Sequence, residues 1–470
     1  MTNARQLTIG AMNEEWIDEL KSILGDCVCT DEATLQAHAG DKWHATALPQ
    51  AVVLATSTEQ VAEALKFAHE RGIPVTPRGA GVGYVGGCVP IKGGMVISVA
   101  QMTRILEINP GDGVAVAEAG VLTADLQAAC ARVGWFYPPD PASRKESSIG
   151  GNIATNAGGP RCLKYGVTRA YVLGLTVVLA DGRILRCGGR THKNKQGFDL
   201  VGLFCGSEGM LGIVTEAILR IIPAPPARAA LHASFPQFAL AAAAVQNTLQ
   251  GGHLPCAIEI TDAFTLAAAR NYLGPSVLPA EAQGHIIIEI DGQRDAVATE
   301  LETIAGILRN TGASEVVYAR TEEEVESIWQ LRREFSYSLK ATGLTKLNED
   351  IVIPRSQLVE LVSFCESMQQ ETGIPVACFG HSGDGNIHTN IMVLKDAQGR
   401  DIREPADALV NRLFDWVMAH GGSITGEHGI GLAKAPWFAQ AIGSVAMDTH
   451  RVIKTALDPA GILNPGKMGL

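Results

Sequence analysis

Residues 48–101 restrict the fold more than any other stretch. LPQAVVLA reads as a strand, TEQVAEALKFAHERG as an amphipathic helix and IPVTPRG as a second strand, and the glycine-rich run PRGAGVGYVGG follows at once. Ser57 or Thr58 is placed to cap the helix and Gly72 to end it, so the unit is β-α-β, a common opening for a cofactor domain. The glycines do not make a Rossmann fingerprint. That motif needs a helix directly after its glycines, and Gly86, Gly87 and Pro90 prevent one here. What remains is a nest, a run of backbone N–H groups bare of side chains and aimed at an anion such as a diphosphate. A tight turn alone would account for one glycine, not five.

The theme recurs in a second block, about 102–225, where short strands such as GVAVAEAG and GLTVVLADGRIL alternate with glycine-rich loops. PPDPASRKESSIGGNIATNAGGPRCLKYG at 138–166 combines a proline turn with hydroxyls and paired glycines, and GSEGMLGIVTE follows at 206–216. The chain's 51 glycines are clustered, not periodic, which marks close backbone approach to a ligand. Three such loops in one domain predict a long ligand threaded between subdomains, and a flavin dinucleotide has that shape.

At IIPAPPAR, 221–228, prolines and alanines break the pattern and set the best domain boundary. Beyond it, helices (FALAAAAVQNTL, DAVATELETIAGILRNTG) alternate with strands (PCAIEIT, HIIIEID, SEVVYA), an α+β pattern reaching about residue 425. The alanine-rich helix is read as presenting an internal apolar face. A net charge of −11, from 38 basic and 49 acidic residues without blocks of one sign, argues against a nucleic-acid partner. The start lacks a signal-peptide core, and no run reaches about 18 apolar residues, so neither a leader nor a transmembrane segment is expected. Ten scattered cysteines without a CxxC pair fit reduced thiols in a cytoplasmic protein and no resident iron–sulfur cluster.

GHSGDGNIHTN, 380–390, reads as strand, turn and strand. Alternation puts His388 and Asn390 on one face, and the turn brings His381 beside His388. GSITGEHGIGLAK at 422–434 offers Glu427 as a third ligand. Two histidines and a carboxylate leave coordination positions open, the pattern of a catalytic cation site, and the absence of HExxH disfavours a zincin protease. Asp384 is explained by the turn itself.

Taken in order, these motifs resemble the flavoprotein family typified by vanillyl-alcohol oxidase and p-cresol methylhydroxylase. Within it they are most similar to the D-2-hydroxyacid dehydrogenase branch, which includes the glycolate oxidase flavin subunit, D-lactate dehydrogenase and D-2-hydroxyglutarate dehydrogenase. The resemblance runs from about residue 45 to LDPAGILNPGK at 457–467. It implies an α+β chain with a two-subdomain PCMH-type FAD-binding domain at 1–225 (core 45–225). A substrate or cap domain with an antiparallel sheet would occupy 226–425, and 426–470 would carry active-site residues back to the FAD domain.

By matching position, the diphosphate loop falls on Arg78, Gly79, Ala80, Gly81, Val82 and Gly83. Ala80 and Val82 stand where the family usually has Gly and Thr, so Val82 would contact FAD through its backbone at most. Pro139, Asp140, Ser143, Ser148, Gly151, Asn152 and Thr155 would line the flavin. Gly206, Glu208, Gly209, Gly212, Ile213 and Val214 would hold its other end, with Asn464 returning from the C-terminal motif. Covalently flavinylated relatives often use a histidine in the first loop; none lies between 70 and 100, so non-covalent FAD is expected.

The resemblance also implies a divalent metal on His381, His388 and Glu427, zinc first with manganese or iron as alternatives, and His428 as the base. Arg332, Ser336, Lys346 and Asn390 match substrate-contacting positions; Arg332 and Ser336 are i and i+4 on one helix face. A Lewis acid lowers the pKa of an α-hydroxyl, as it lowers that of water from about 16 towards 7, and a neutral imidazole takes the proton. Hydride then leaves C2 for flavin N5. The implied reaction is oxidation of a small (R)-2-hydroxy acid (glycolate, D-lactate or D-2-hydroxyglutarate) to the 2-oxo acid. An electron-acceptor protein or quinone would follow, and a homodimer is compatible with the chain. The alternatives are the flavin subunit of a glycolate oxidase-like complex that needs an iron–sulfur partner, peripheral to the membrane through that partner, and a non-redox transferase on the same fold.

Overall fold

The structure, a computed structural model, describes residues 15–470. The chain divides into two compact units. The first takes residues up to Gly158, Val167–Ala224 and Glu427–Leu470; the second takes Gly159–Gly166 and Pro225–Gly426.

In the first unit the helix Thr58–Arg71 has the predicted ends. The Ser57 hydroxyl accepts from the Gln60 amide, and Gly72 closes the helix at φ +62°. Such a cap contributes about 1 kcal/mol. Val61, Ala64, Leu65 and Ala68 are fully buried against the strands Ala51–Leu54, Val75–Arg78 and Met95–Ser98. The two strands of the β-α-β unit are not neighbours: each lies parallel to Met95–Ser98, which sits between them. Leu463 extends the outer edge, where Val75 N–H donates to Ile462 O at 2.8 Å and Asn464 N–H to Val75 O at 2.7 Å. The second block forms an antiparallel sheet in the order Ile105–Asn109, Val114–Glu118, Ile213–Arg220, Val172–Val178, Ile184–Gly188.

The second unit is built on one antiparallel sheet in the order Glu315–Ala319, Ala227–Phe235, Gly284–Gly292, Ala257–Asp262, Val376–His381, Asn386–Val393, Thr345–Val352. The helix Phe238–Gln250 buries Ala241, Ala242, Ala244 and Val245, so three of its five alanines face inward. The helix Glu322–Ala341 starts at a reciprocal capping box of Thr321 and Glu324 and buries Val325, Trp329, Phe335 and Leu339.

One assignment differs from the sequence reading, which placed 159–166 in the first domain. These residues cluster with the second unit because buried charges hold them there. Arg161 donates to Glu289 Oε1 at 3.0 Å, and Lys164 and Tyr165 donate to Asp291 at 2.5 and 2.7 Å. Both carboxylates are nearly fully buried, and a buried charge persists only when paired. Among the described residues no helix is long and apolar enough to cross a membrane.

The hairpin Val376–His381/Asn386–Val393 turns tightly at Gly385, whose φ is +89° and where an added Cβ would overlap the Ile353 carbonyl. Gly385→Ala is therefore expected to destabilise the protein by about 2 kcal/mol or more, read as a lower denaturation midpoint in urea.

Candidate active site

The hairpin register pairs His388 with Phe379 and His381 with Asn386, so the two histidines are diagonal neighbours on one face. Their rings meet edge to face, centroids 5.5 Å apart, and both are buried. The third expected ligand arrives by a tethered loop. Asp350, opposite His388 on the next strand, accepts from the Gly426 amide at 2.9 Å and the Thr425 hydroxyl at 3.2 Å through Oδ2. Its Oδ1 accepts from Asn386 Nδ2 at 2.6 Å. Glu427 is peptide-bonded to the residue so held. One ring nitrogen each of His381 and His388 and one Glu427 oxygen lie within 4.8 Å of one another. Two imidazoles and a carboxylate at this separation suit a divalent cation, and no HExxH helix is involved.

Behind His381 stands a residue that the motifs did not single out. Glu259, on Ala257–Asp262, is 1% exposed; its Oε1 accepts from His381 Nδ1 at 2.5 Å and its Oε2 from Arg332 Nε at 2.5 Å. Burial would raise this carboxyl, but the hydrogen bonds from His381 and Arg332 and the Arg332 charge hold it below the usual carboxylate range. With Nδ1 engaged, Nε2 is the nitrogen His381 can offer to a cation, the usual arrangement behind a ligating histidine.

Arg332 lies with its guanidinium carbon 4.8 Å from the Phe379 ring centroid. One helical turn on, Ser336 accepts from Lys346 Nζ at 3.0 Å. Burial, then repulsion from Lys340 and Arg332, pushes the Lys346 ammonium down to about 8. Among the described residues no carboxylate pairs with it, so Arg332, Ser336 and Lys346 form a positive cluster suited to an anion. Arg333, the next residue on the helix, bonds Glu326 and Gln330 on its surface. Asn390 is fully buried and donates to the carbonyls of Ala377 and His388, while its Oδ1 has no partner among the described residues.

In the first unit, no group among the described residues accepts from the amides of Gly79, Ala80, Gly81, Val82 and Gly83. Five successive bare N–H groups are the donor set a diphosphate needs, and the loop fits FAD on that ground. Gly79 touches the start of the helix Ile149–Thr155, where a Cβ would come within 2.7 Å of the capping Ser148 hydroxyl. Several of the expected flavin-binding side chains hold backbone groups of the first unit. Arg78 donates to the Gly40 carbonyl at 2.5 Å and that of Ala37 at 3.2 Å, so the diphosphate would meet backbone at this position. Glu208 accepts from the Ile430 and Gly431 amides at 2.7 and 2.8 Å. Asn464 Nδ2 donates to the carbonyls of Gly87 and Glu208 at 2.9 and 2.7 Å.

The remaining positions lie on the same framework. The Ser143 carbonyl accepts from the Glu146 and Ser147 amides, and the Pro139 carbonyl from Gln127 Nε2. Asp140 is buried. Asn152 donates to the Thr123 hydroxyl, while the Thr155 hydroxyl donates to the Gly151 carbonyl. Gly206 donates to Ile153 O, Gly209 at φ +71° packs on Pro77, and Gly212 leads into buried Ile213 and Val214. The His428 ring lies tilted against the exposed Tyr84 ring, centroids 5.2 Å apart.

Gly81 has φ +70°, and an added Cβ would overlap the Arg78 guanidinium. Gly81→Ala should therefore lower bound flavin per chain several-fold, measured by absorbance at 450 against 280 nm, with little change in far-UV circular dichroism.

Two family models match the chain: the FAD binding domain over residues 49–188 and the C-terminal domain of FAD linked oxidases over 224–468. Glycolate oxidase subunit GlcD of Bacillus subtilis (strain 168) is 39% identical over 421 residues, 90% of this chain and 89% of the relative. D-lactate dehydrogenase of Anaerostipes hadrus is 34% identical over 462 residues, 97% of each chain. Among solved structures, 4-ethylphenol oxidase from Gulosibacter chungangensis superposes with a TM-score of 0.79 at 22% identity, covering 98% of both chains, a likeness of fold alone.

Proposed function

Since the chain belongs to the FAD-linked oxidase family, with both of that family's domains along its length, we propose that it oxidises a small (R)-2-hydroxy acid to the 2-oxo acid with the help of a divalent cation. Glycolate, D-lactate and D-2-hydroxyglutarate are the candidate substrates. The observation that carries the reading is the single Glu259 carboxylate, which bonds the candidate cation ligand His381 on one side and the candidate anion site Arg332 on the other. A 2-hydroxy acid presents those two chemistries side by side, a hydroxyl to be activated and a carboxylate to be held.

Arg332 and Lys346 supply the positive charge for the carboxylate, with Ser336 orienting the ammonium. His381, His388 and Glu427 would hold the cation, zinc first, which when bound acidifies the α-hydroxyl. FAD, when bound, accepts the electron pair that leaves C2. His428 is the assigned base, taking the hydroxyl proton on a ring nitrogen. The protein's remaining work is to fix these groups in place before the reaction begins.

Anaerobic mixing with a panel of D-2-hydroxy acids should bleach the flavin absorbance near 450 nm within seconds. Prior chelation, or the double variant His381→Ala/His388→Ala, should slow bleaching at least a hundredfold. Unchanged bleaching in both would remove the cation from the mechanism. The word "subunit" in the name of the Bacillus relative favours a second reading, in which the chain acts only with an iron–sulfur partner. Bleaching by the isolated chain separates the two.

Carboxylate binding needs a protonated Lys346, and its ammonium is lost as pH rises through about 8 instead of near 10.5. The value of kcat/KM should accordingly fall by up to about tenfold per pH unit above 8, chiefly through KM. Lys346→Arg should abolish that limb.

A further inference from the structure

Resting on the cation-dependent reading, we infer that Glu259 is a positioning residue that makes cation binding and substrate-carboxylate binding depend on each other. The two carboxylate oxygens are divided: Oε1 accepts from His381 Nδ1 at 2.5 Å and Oε2 from Arg332 Nε at 2.5 Å. The group is 1% exposed, so its charge is stabilised by these two donors and not by a water shell. Arg332 in turn has only 11% of its side chain exposed, and its planar face is covered by Phe379. One negative charge therefore serves two positive demands in a setting where Coulomb interactions are strong.

The sign of the coupling follows. A divalent ion on Nε2 polarises the imidazole, strengthens the Nδ1–H bond to Oε1 and draws the carboxylate's charge towards His381. Arg332 is then less fully neutralised and attracts a substrate anion more strongly. By linkage, an anion on Arg332 releases Glu259 to support the cation by the same factor. The structural alternative is that Glu259 merely fills its place in the sheet between Arg332 and the hairpin.

Sheet register supports the coupling role. Ile260 pairs with Gly380 and Thr261 with Phe379, so Glu259 sits level with His381 across adjacent strands. Arg332 comes from the helix Glu322–Ala341, outside the sheet. The three side chains thus join two strands and one helix through one carboxyl group.

The test uses the full-length, FAD-loaded chain without substrate. Zinc affinity is measured by competition with a chromophoric chelator for wild type, E259Q, R332Q and the double variant, with thermal melting to confirm folding. E259Q should weaken zinc by 10- to 100-fold. R332Q should tighten zinc several-fold when Glu259 is present, and by much less in the E259Q background, where only through-space repulsion remains. E259D, which keeps the charge on a stem too short to reach both partners, should retain most zinc affinity while losing the effect of R332Q. This covers the case in which E259Q fails to fold. Zinc binding with additive effects in the four variants, or a full R332Q effect in E259D, would overturn this inference and leave the proposed function standing. Failure of wild type to bind zinc, together with bleaching that survives chelation, would overturn both.

Discussion

The site is organised by a charge that has nowhere else to go. Glu259 lies in the middle of a seven-stranded sheet, and a carboxylate there is tolerated only with donors on both oxygens. His381 and Arg332 are those donors, and satisfying Glu259 fixes the ring orientation of one and the reach of the other. Asp350 acts in the same way on the edge strand Thr345–Val352, where its two oxygens gather Asn386, Thr425 and the Gly426 amide. The chain immediately before Glu427 is thereby anchored to the sheet that carries both histidines.

Much of this was legible in the sequence, and for identifiable reasons. The helix Thr58–Arg71 has its cap and stop residues in place, and GHSGDGNIHTN combines strand alternation with a turn, so local rules sufficed. Glu259 was not legible. In PCAIEIT it is one polar residue in an apolar alternation, which reads as the solvent face of a half-buried strand. Its partners lie 73 and 122 residues away, and only the sheet order brings them near. Glu289 in HIIIEID was hidden in the same way, and with it the attachment of 159–166 to the second unit. A general signal does exist: an acidic residue inside a near-continuous apolar run must find a cation if the run is buried on both faces.

The candidate FAD loop was legible as backbone. Positive φ and close contacts explain why glycine is needed at Gly81, and the amides of residues 79–83 have no acceptor among the described residues. Position matching put Arg78 and Glu208 in the candidate flavin-binding set. Each satisfies backbone groups of the first unit, Arg78 the carbonyls of Gly40 and Ala37 and Glu208 the amides of Ile430 and Gly431. A charged residue within a motif can serve the loop's shape as readily as its ligand.

The candidate sites of the two units thus offer different chemistry. A nest of main-chain N–H groups suits phosphate, whose charge is spread over several oxygens and whose identity need not be read closely. The anion cluster of the second unit is made of side chains, each with its own tether: Arg332 to Glu259, Lys346 to Ser336. Side chains can be exchanged without disturbing a backbone path, so on the proposed function any discrimination among acids of similar size would rest on this cluster. The backbone cradle has no such freedom, because altering it means altering the fold that carries it.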